Sequence, residues 1–101
     1  MASVEDIMSI TNWKERFKTF NFNVKEVDGH NIKELENTFN QENITGMPTI
    51  VICNTIKGKG VSIIENDPRW HWRLPNKKEL KVFMQELNIT EKEIEECRKL
   101  M

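Results

Sequence analysis

The segment PTIVICNT, Pro48–Thr55, is a continuous run of β-branched and apolar residues, with Gly46 before it and Gly58 and Gly60 after it. A strand that does not alternate has no face suited to water, and such strands lie inside parallel sheets covered on both sides. One other stretch reads as a strand. NVKEV, Asn23–Val27, alternates polar and apolar residues and ends at the turn-like tripeptide Asp28-Gly29-His30. Residues 31–42 between them read as a helix, which makes a βαβ unit with an expected right-handed crossover. The predicted fold class is therefore α/β, a partial parallel sheet with flanking helices. Two strands do not complete a stable parallel sheet, and Thr49–Cys53 would present unpaired backbone edges. The chain is expected either to pair with another polypeptide, a second copy included, or to be part of something larger. At 101 residues it reads as at most one small, partial domain.

Four segments carry helix-start chemistry. Asn12 precedes WKERFKTF with Glu15 three residues on, and Trp13, Phe17 and Phe20 share a face. Asn31 with Glu34 precedes a stripe of Ile32, Leu35 and Phe39. Asn76 with Glu79 opens KKELKVFMQEL, and Thr90 with Glu93 opens a C-terminal helix over 90–101 whose stripe is Ile94, Cys97 and Met101. In each case the cap side chain is expected to accept an early backbone N–H while the glutamate reaches back to the cap.

The net charge of −1 hides a segregation. Residues 1–56 carry five Lys and Arg against eight Asp and Glu, whereas 57–81 carry seven against three and 82–101 three against five. The positive charge thus gathers around TIKGKGVSIIENDPRWHW, Thr55–Trp72. A local field of this kind suits a small anion better than a nucleic-acid duplex, which meets a broadly basic surface. No segment approaches the ~20 apolar residues of a membrane helix. MASVEDIMSITNW lacks a basic start and an apolar core, so no secretory leader is expected. Cys53 and Cys97 lack metal-ligand spacing and read as reduced thiols in a cytoplasmic protein.

Within that basic stretch, Gly58 and Gly60 permit backbone conformations closed to other residues, and Lys57 and Lys59 add charge. Successive N–H groups in such a loop are able to form an anion-binding concavity. A mobile surface loop with incidental lysines is the competing reading. The spacing is neither that of a Walker A loop nor that of a dinucleotide fingerprint. Trp70 and Trp72 read as hydrophobic anchors beside His71, and Asp28-Gly29-His30 reads as turn chemistry.

The run KGKGVSIIENDPRWH resembles the loop that ends the thiamine-diphosphate-binding domain of transketolases, in the pattern KT-x-KG-[KR]-G-…-E-…-WHG. Upstream, WKERFKTFNFNVKEVDGHNIKEL is similar to the family's helix, F-x-x-F-G-W bend, strand and DGH turn. GMPTIVICNTIKGKG is similar to its GKPT-strand-loop, and LPNKKEL to its APN-helix segment. The resemblance spans residues 3–90. It implies a fragment of a thiamine-diphosphate-binding fold, from an enzyme that moves two-carbon ketol units between sugar phosphates with a divalent metal. Lys57 matches the loop lysine that contacts the cofactor. His71 matches the histidine that reaches the diphosphate end near the donor sugar, and Gly58 and Gly60 would let the loop close.

The departures imply as much as the matches. The family's Gly-Asp-Gly metal motif with its later asparagine is absent, so magnesium would be held by parts outside this chain. The pyrimidine-binding domain with its glutamate is also absent, and Trp72 stands where the family has glycine. The expectation is a segment inactive alone, completed by complementary transketolase-like polypeptides or by self-association. A noncatalytic interaction module and a free-standing binder of phosphorylated small molecules are the alternatives.

Overall fold

Asn23–Asp28 (β1) and Thr49–Asn54 (β2) pair in parallel, in register from Asn23 opposite Thr49 to Asp28 opposite Asn54, with α3 (Ile32–Asn40) crossing between them. This is the predicted βαβ unit, seen in a computed structural model that describes residues 2–100. Helices α1 (Val4–Ile7) and α2 (Trp13–Thr19) precede it. A 3-10 helix (Pro68–His71), α4 (Lys77–Glu86) and α5 (Glu91–Leu100) follow. The chain gathers into two compact units, Ala2–Thr55 and the part from Ile56 onward. Among the described residues no helix is long and apolar enough to cross a membrane. Met101, read from sequence as the end of the last helical stripe, lies outside the described residues.

In the first unit, both α2 and α3 pack on β1. Alternation along β1 directs Val27 inward, only 9% exposed, and Lys25 reaches across to donate to the Thr38 carbonyl of α3 at 3.5 Å. Phe17 of α2 stacks on Trp13 (5.9 Å between centroids) and meets Phe22 edge-on (6.0 Å). α2 ends through Asn21 in the left-handed region (φ 64), with the Phe22 N–H returning to the Phe17 carbonyl and the Asn21 N–H to Lys18. Asn21 thereby takes a left-handed conformation that asparagine tolerates better than most residues, as a helix C-terminal cap.

The turn after β1 is built as read. The His30 N–H donates to Asp28 Oδ1 at 2.9 Å and the Asn31 N–H to the Asp28 carbonyl at 3.1 Å. Gly29 is needed for close approach rather than for handedness. A Cβ there would stand 2.5 Å from Thr55 Cγ2 and 3.1 Å from the Asn54 carbonyl oxygen.

The four predicted caps form to different degrees. Asn76 and Glu79 exchange bonds fully: Asn76 Oδ1 accepts the Lys78 and Glu79 N–H groups, and Glu79 Oε2 accepts the Asn76 N–H at 2.8 Å. Thr90 and Glu93 do the same. Asn31 caps Glu34, but Glu34 reaches past it to the Asp28 N–H at 3.1 Å. The Asn12 cap does not form. Its backbone is left-handed (φ 55), which misdirects the side chain, and Glu15 pairs with Lys18 at 3.2 Å instead. Conversely, Ser3 and Asp6 form a capping box that starts α1, too short to show apolar periodicity.

Little of the chain is covered. It exposes 8625 Å², where a globule of 12.0 kDa exposes about 6,000 Å² and two separate globules of half that mass about 7,200 Å². Large apolar residues are left exposed along the chain. Ile32 and Phe39, the predicted core stripe of α3, are 75% and 65% exposed, and Thr49–Ile52 of β2 are only half-buried.

Candidate functional site

The KGKG loop and the histidine lie in the second unit, and local hydrogen bonds shape both. The Lys59 N–H donates to the Ile56 carbonyl, Val61 to Gly58, Ile64 and Glu65 to Val61, and Asn66 to Lys57 at 3.0 Å. These close 56–66 into a run of tight turns around Val61, which is 4% exposed. Gly58 (φ 73) and Gly60 (φ 99) both occupy backbone space that favours glycine. At Gly58 a Cβ would also fall 2.6 Å from Ile64 Cγ1 and 2.8 Å from the Ile64 carbonyl oxygen.

The closed turns change what the loop offers an anion. The N–H groups of Lys59 and Val61 are bonded within the loop, and that of Gly60 donates to Glu65 Oε1 at 3.1 Å. The concavity of free amides expected from sequence is therefore absent over 59–61, because a carboxylate and two carbonyls fill it. What remains for an anion is side-chain charge. Lys57 and His71 are both exposed.

A second bond set anchors the loop to α4. The Ser62 hydroxyl donates to Glu86 Oε1 at 2.5 Å and the Ser62 N–H to Glu86 Oε2 at 2.8 Å. No local pattern announces a pair 24 residues apart. The loop read as mobile is thus tethered internally and to a helix.

His71 ends the 3-10 helix, whose start is fixed by charge. Asp67 Oδ1 accepts the Arg69 N–H at 3.0 Å, and the Arg69 guanidinium binds both carboxylate oxygens. The Arg69 side chain, then its N–H, holds the Asp67 carboxyl well below its ordinary range, at about 2, and the same pairing raises Arg69. The other end is fixed by packing. Trp70 lies against Phe83 of α4 (5.5 Å, 54°), with the Arg73 guanidinium 4.1 Å from the centre of its ring. Arg73 also pairs with Glu79, whose pKa is lowered by the Asn76 N–H and then by Arg73. Trp70 is the anchor predicted, but Trp72 is not. Its ring is 79% exposed.

The four candidates, Lys57, Gly58, Gly60 and His71, therefore belong to one unit. The Lys57 carbonyl bonds to Asn66, beside the start of the segment that presents His71. Sequence reasoning passed over Glu65, Glu86 and Arg73 as shaping residues. Only Glu65 had a signal, the acidic position in the loop pattern. Clefts along α4 and α5 of about 270 and 480 Å³ are lined by Leu80, Met84, Ile89 and Ile94 among others, and include neither Lys57 nor His71. Among the described residues no group of three or more His, Cys, Asp or Glu is arranged to hold a metal ion.

The fold is that of a small α/β fragment, a two-stranded parallel βαβ unit with flanking helices, followed by a cationic loop. No family model matches the chain. It is 32% identical over 83 residues to an apulose-4-phosphate transketolase subunit of Actinobacillus succinogenes, covering 82% of this chain and 30% of that protein. The protein of the same name from Phocaeicola vulgatus is 28% identical over 88 residues, 86% of this chain and 31% of its own. Transketolase of Mus musculus is 32% identical over 75 residues, 74% of this chain and 12% of its own. The chain belongs to the transketolase family, and spans about a third or less of the length of these relatives.

Proposed function

We propose that residues 3–90 of this chain are one segment of a transketolase-like, thiamine-diphosphate-dependent transferase. The segment corresponds to the end of the cofactor-binding domain, and its enzyme transfers two-carbon ketol units between sugar phosphates. One observation carries the incompleteness of the segment: an exposed surface well beyond that of a covered globule, with large apolar residues such as Ile32, Phe39 and Leu74 left in water. The bare chain is not active in this reading. Complementary transketolase-like polypeptides complete the site, consistent with relatives named as subunits. The reading places the chain in the cytoplasm, with Cys53 and Cys97 as free thiols.

The residues present fit the anionic end of the cofactor. Bound thiamine diphosphate supplies the carbon nucleophile of ketol transfer. The Lys57 ammonium would hold the diphosphate as a point charge, and the His71 imidazole would donate a hydrogen bond to it. Gly58 and Gly60 contribute the turn that follows Lys57, and the Gly60 amide is held by Glu65. Magnesium would take its oxygen ligands from protein outside this chain.

The test is assembly with the missing portion of such an enzyme, followed by titration with thiamine diphosphate and magnesium and an assay of ketol transfer. The expected result is cofactor uptake and transfer by the assembly and neither by the chain alone. An assembly that forms but takes up no cofactor overturns the reading.

A further inference from the structure

Within the second unit, α4 meets both arms of the candidate site one turn apart. Phe83 packs against Trp70, the neighbour of His71, at 5.5 Å between ring centres. Glu86 lies three positions on, hence on the same side of the helix. Both its carboxylate oxygens are taken by Ser62, through the hydroxyl at 2.5 Å and the N–H at 2.8 Å. The loop runs close to the helix here: a Cβ on Gly60 would stand 3.7 Å from Leu87 Cδ2. Behind Ser62 the bonds lead back to Lys57. Val61, 4% exposed, donates to the Gly58 carbonyl and accepts from Ile64 and Glu65, while the Asn66 N–H holds the Lys57 carbonyl.

Glu86 is badly placed for α4 itself. A carboxylate in the last turn faces the negative end of the helix dipole, and no basic residue in that turn offsets it. Among the described residues no cation pairs with it. What the position serves is Ser62, 24 residues away. A residue that breaks a local rule and satisfies two distant donors marks a tertiary role.

We propose that Glu86 and Phe83 are positioning residues: α4 is the spine to which the Lys57 loop and the His71 segment are both fixed. Glu86 acts through Ser62, not on the ligand, and sets the hold of Lys57 on a diphosphate. The ligand rests on the function proposed above, whereas the mooring of the loop rests on these bonds alone. Charge by itself predicts the opposite effect, because removing a carboxylate from a cationic segment favours an anion.

The experiment has two arms. The first is residue-resolved amide exchange on the full chain without ligand. Glu86→Ala should speed exchange at Ser62 and Asn66 about tenfold or more, and leave the amides of 81–85 in α4 no faster. The second is calorimetric titration of the assembled protein with thiamine diphosphate and magnesium. Glu86→Ala should weaken binding about fivefold or more, yet add less than about twofold when Lys57→Ala is already present. Ser62→Ala, which leaves every charge in place, should weaken binding in the same direction. Phe83→Leu should show the corresponding coupling to His71→Ala. Unchanged exchange at Asn66 in Glu86→Ala overturns the mooring whether or not cofactor binds. Wild-type or tighter cofactor binding in Glu86→Ala, with Lys57→Ala weakened, overturns the positioning role alone. Binding indifferent to Lys57→Ala overturns the role proposed for that lysine, and the positioning of it as well.

Discussion

The Glu65 carboxylate accepts the Gly60 N–H at 3.1 Å, so an acidic group sits on the amide that a glycine loop would otherwise turn toward an anion. Two effects follow from one bond. It closes the turn, and it places negative charge inside a segment whose exposed lysines favour phosphate. Glu65→Gln retains an acceptor for Gly60 and removes the charge. Pyrophosphate affinity of the assembled protein is expected to rise about two- to fivefold, the scale of one exposed charge. Glu65→Ala removes the acceptor as well, and amide exchange at Gly60 should accelerate. Unchanged pyrophosphate binding in Glu65→Gln would show that the carboxylate lies outside the field of the anion.

Gly58 and Gly46 give a matched comparison of strain and space. Both have positive φ, 73 and 78, but only Gly58 has atoms where a Cβ would go, with the Ile64 backbone among them. Gly46→Ala should cost about 1–2 kcal/mol, the conformational penalty alone. Gly58→Ala adds a clash with backbone that no rotamer change relieves, so its cost should exceed that of Gly46→Ala by at least ~1 kcal/mol. Urea unfolding of the two variants decides it, and equal midpoints would mean that 58–64 gives way freely.

Much of this fold can be read from residues a few positions apart, and the limit of that reading is physical. The Asp28 turn and the Asn76–Glu79 cap depend on neighbours within three residues, and the βαβ unit on the run-by-run patterning of its strands and helix; all appear where the sequence puts them. Asn12 fails because its cap depends on backbone handedness, which an asparagine adopts either way. The loop departs for a different reason. Its amides look free in sequence, but a glutamate five residues on and a helix 24 residues on claim the surrounding donors. The stripe of Ile32 and Phe39 is a third case. Its periodicity points to a buried face, yet in this chain Ile32 and Phe39 stay exposed.

The Asp67–Arg69 pair makes the 3-10 helix sensitive to acid. Asp67 titrates at about 2 in the folded chain against an ordinary value of 3.8. A depressed carboxylate stabilises the folded form above the ordinary value, and that contribution fades as pH falls from 3.8 toward 2. Amide exchange at Arg69, whose N–H the carboxylate accepts, should therefore show protection that declines over that window. In Asp67→Asn the decline should disappear at Arg69, while the protection at Thr90, whose N–H the lowered Glu93 carboxylate accepts, keeps its own acid dependence. A wild-type profile at Arg69 that is flat through this range would remove Asp67 as the determinant.

Lys57 and His71 share one anion in the proposed assembly, so each variant tests the same contact from a different side. Lys57→Ala and His71→Ala should each weaken thiamine diphosphate binding about tenfold or more, the scale of a lost charge-assisted hydrogen bond. Both side chains are exposed in the chain by itself, so neither change should shift its unfolding midpoint appreciably. Wild-type cofactor affinity in both variants would strip these residues of the role while leaving family membership untouched.

Trp72 stands beside His71 where the family pattern has glycine, and its ring is 79% exposed rather than packed as Trp70 is. An exposed ring contributes little to folding, so Trp72→Gly should alter stability mainly through backbone entropy, by about 0.5–1 kcal/mol. Its effect on the assembled site should be larger. If the ring occupies space that a diphosphate or donor sugar needs, removing it raises cofactor affinity severalfold, and Trp72→Ala does so with less loss of stability. Calorimetric titration of the assembly with thiamine diphosphate and magnesium distinguishes the cases. An unchanged dissociation constant in both variants would place the ring away from the cofactor, and a weaker one would make it a stacking contact that this chain uses in place of the family glycine.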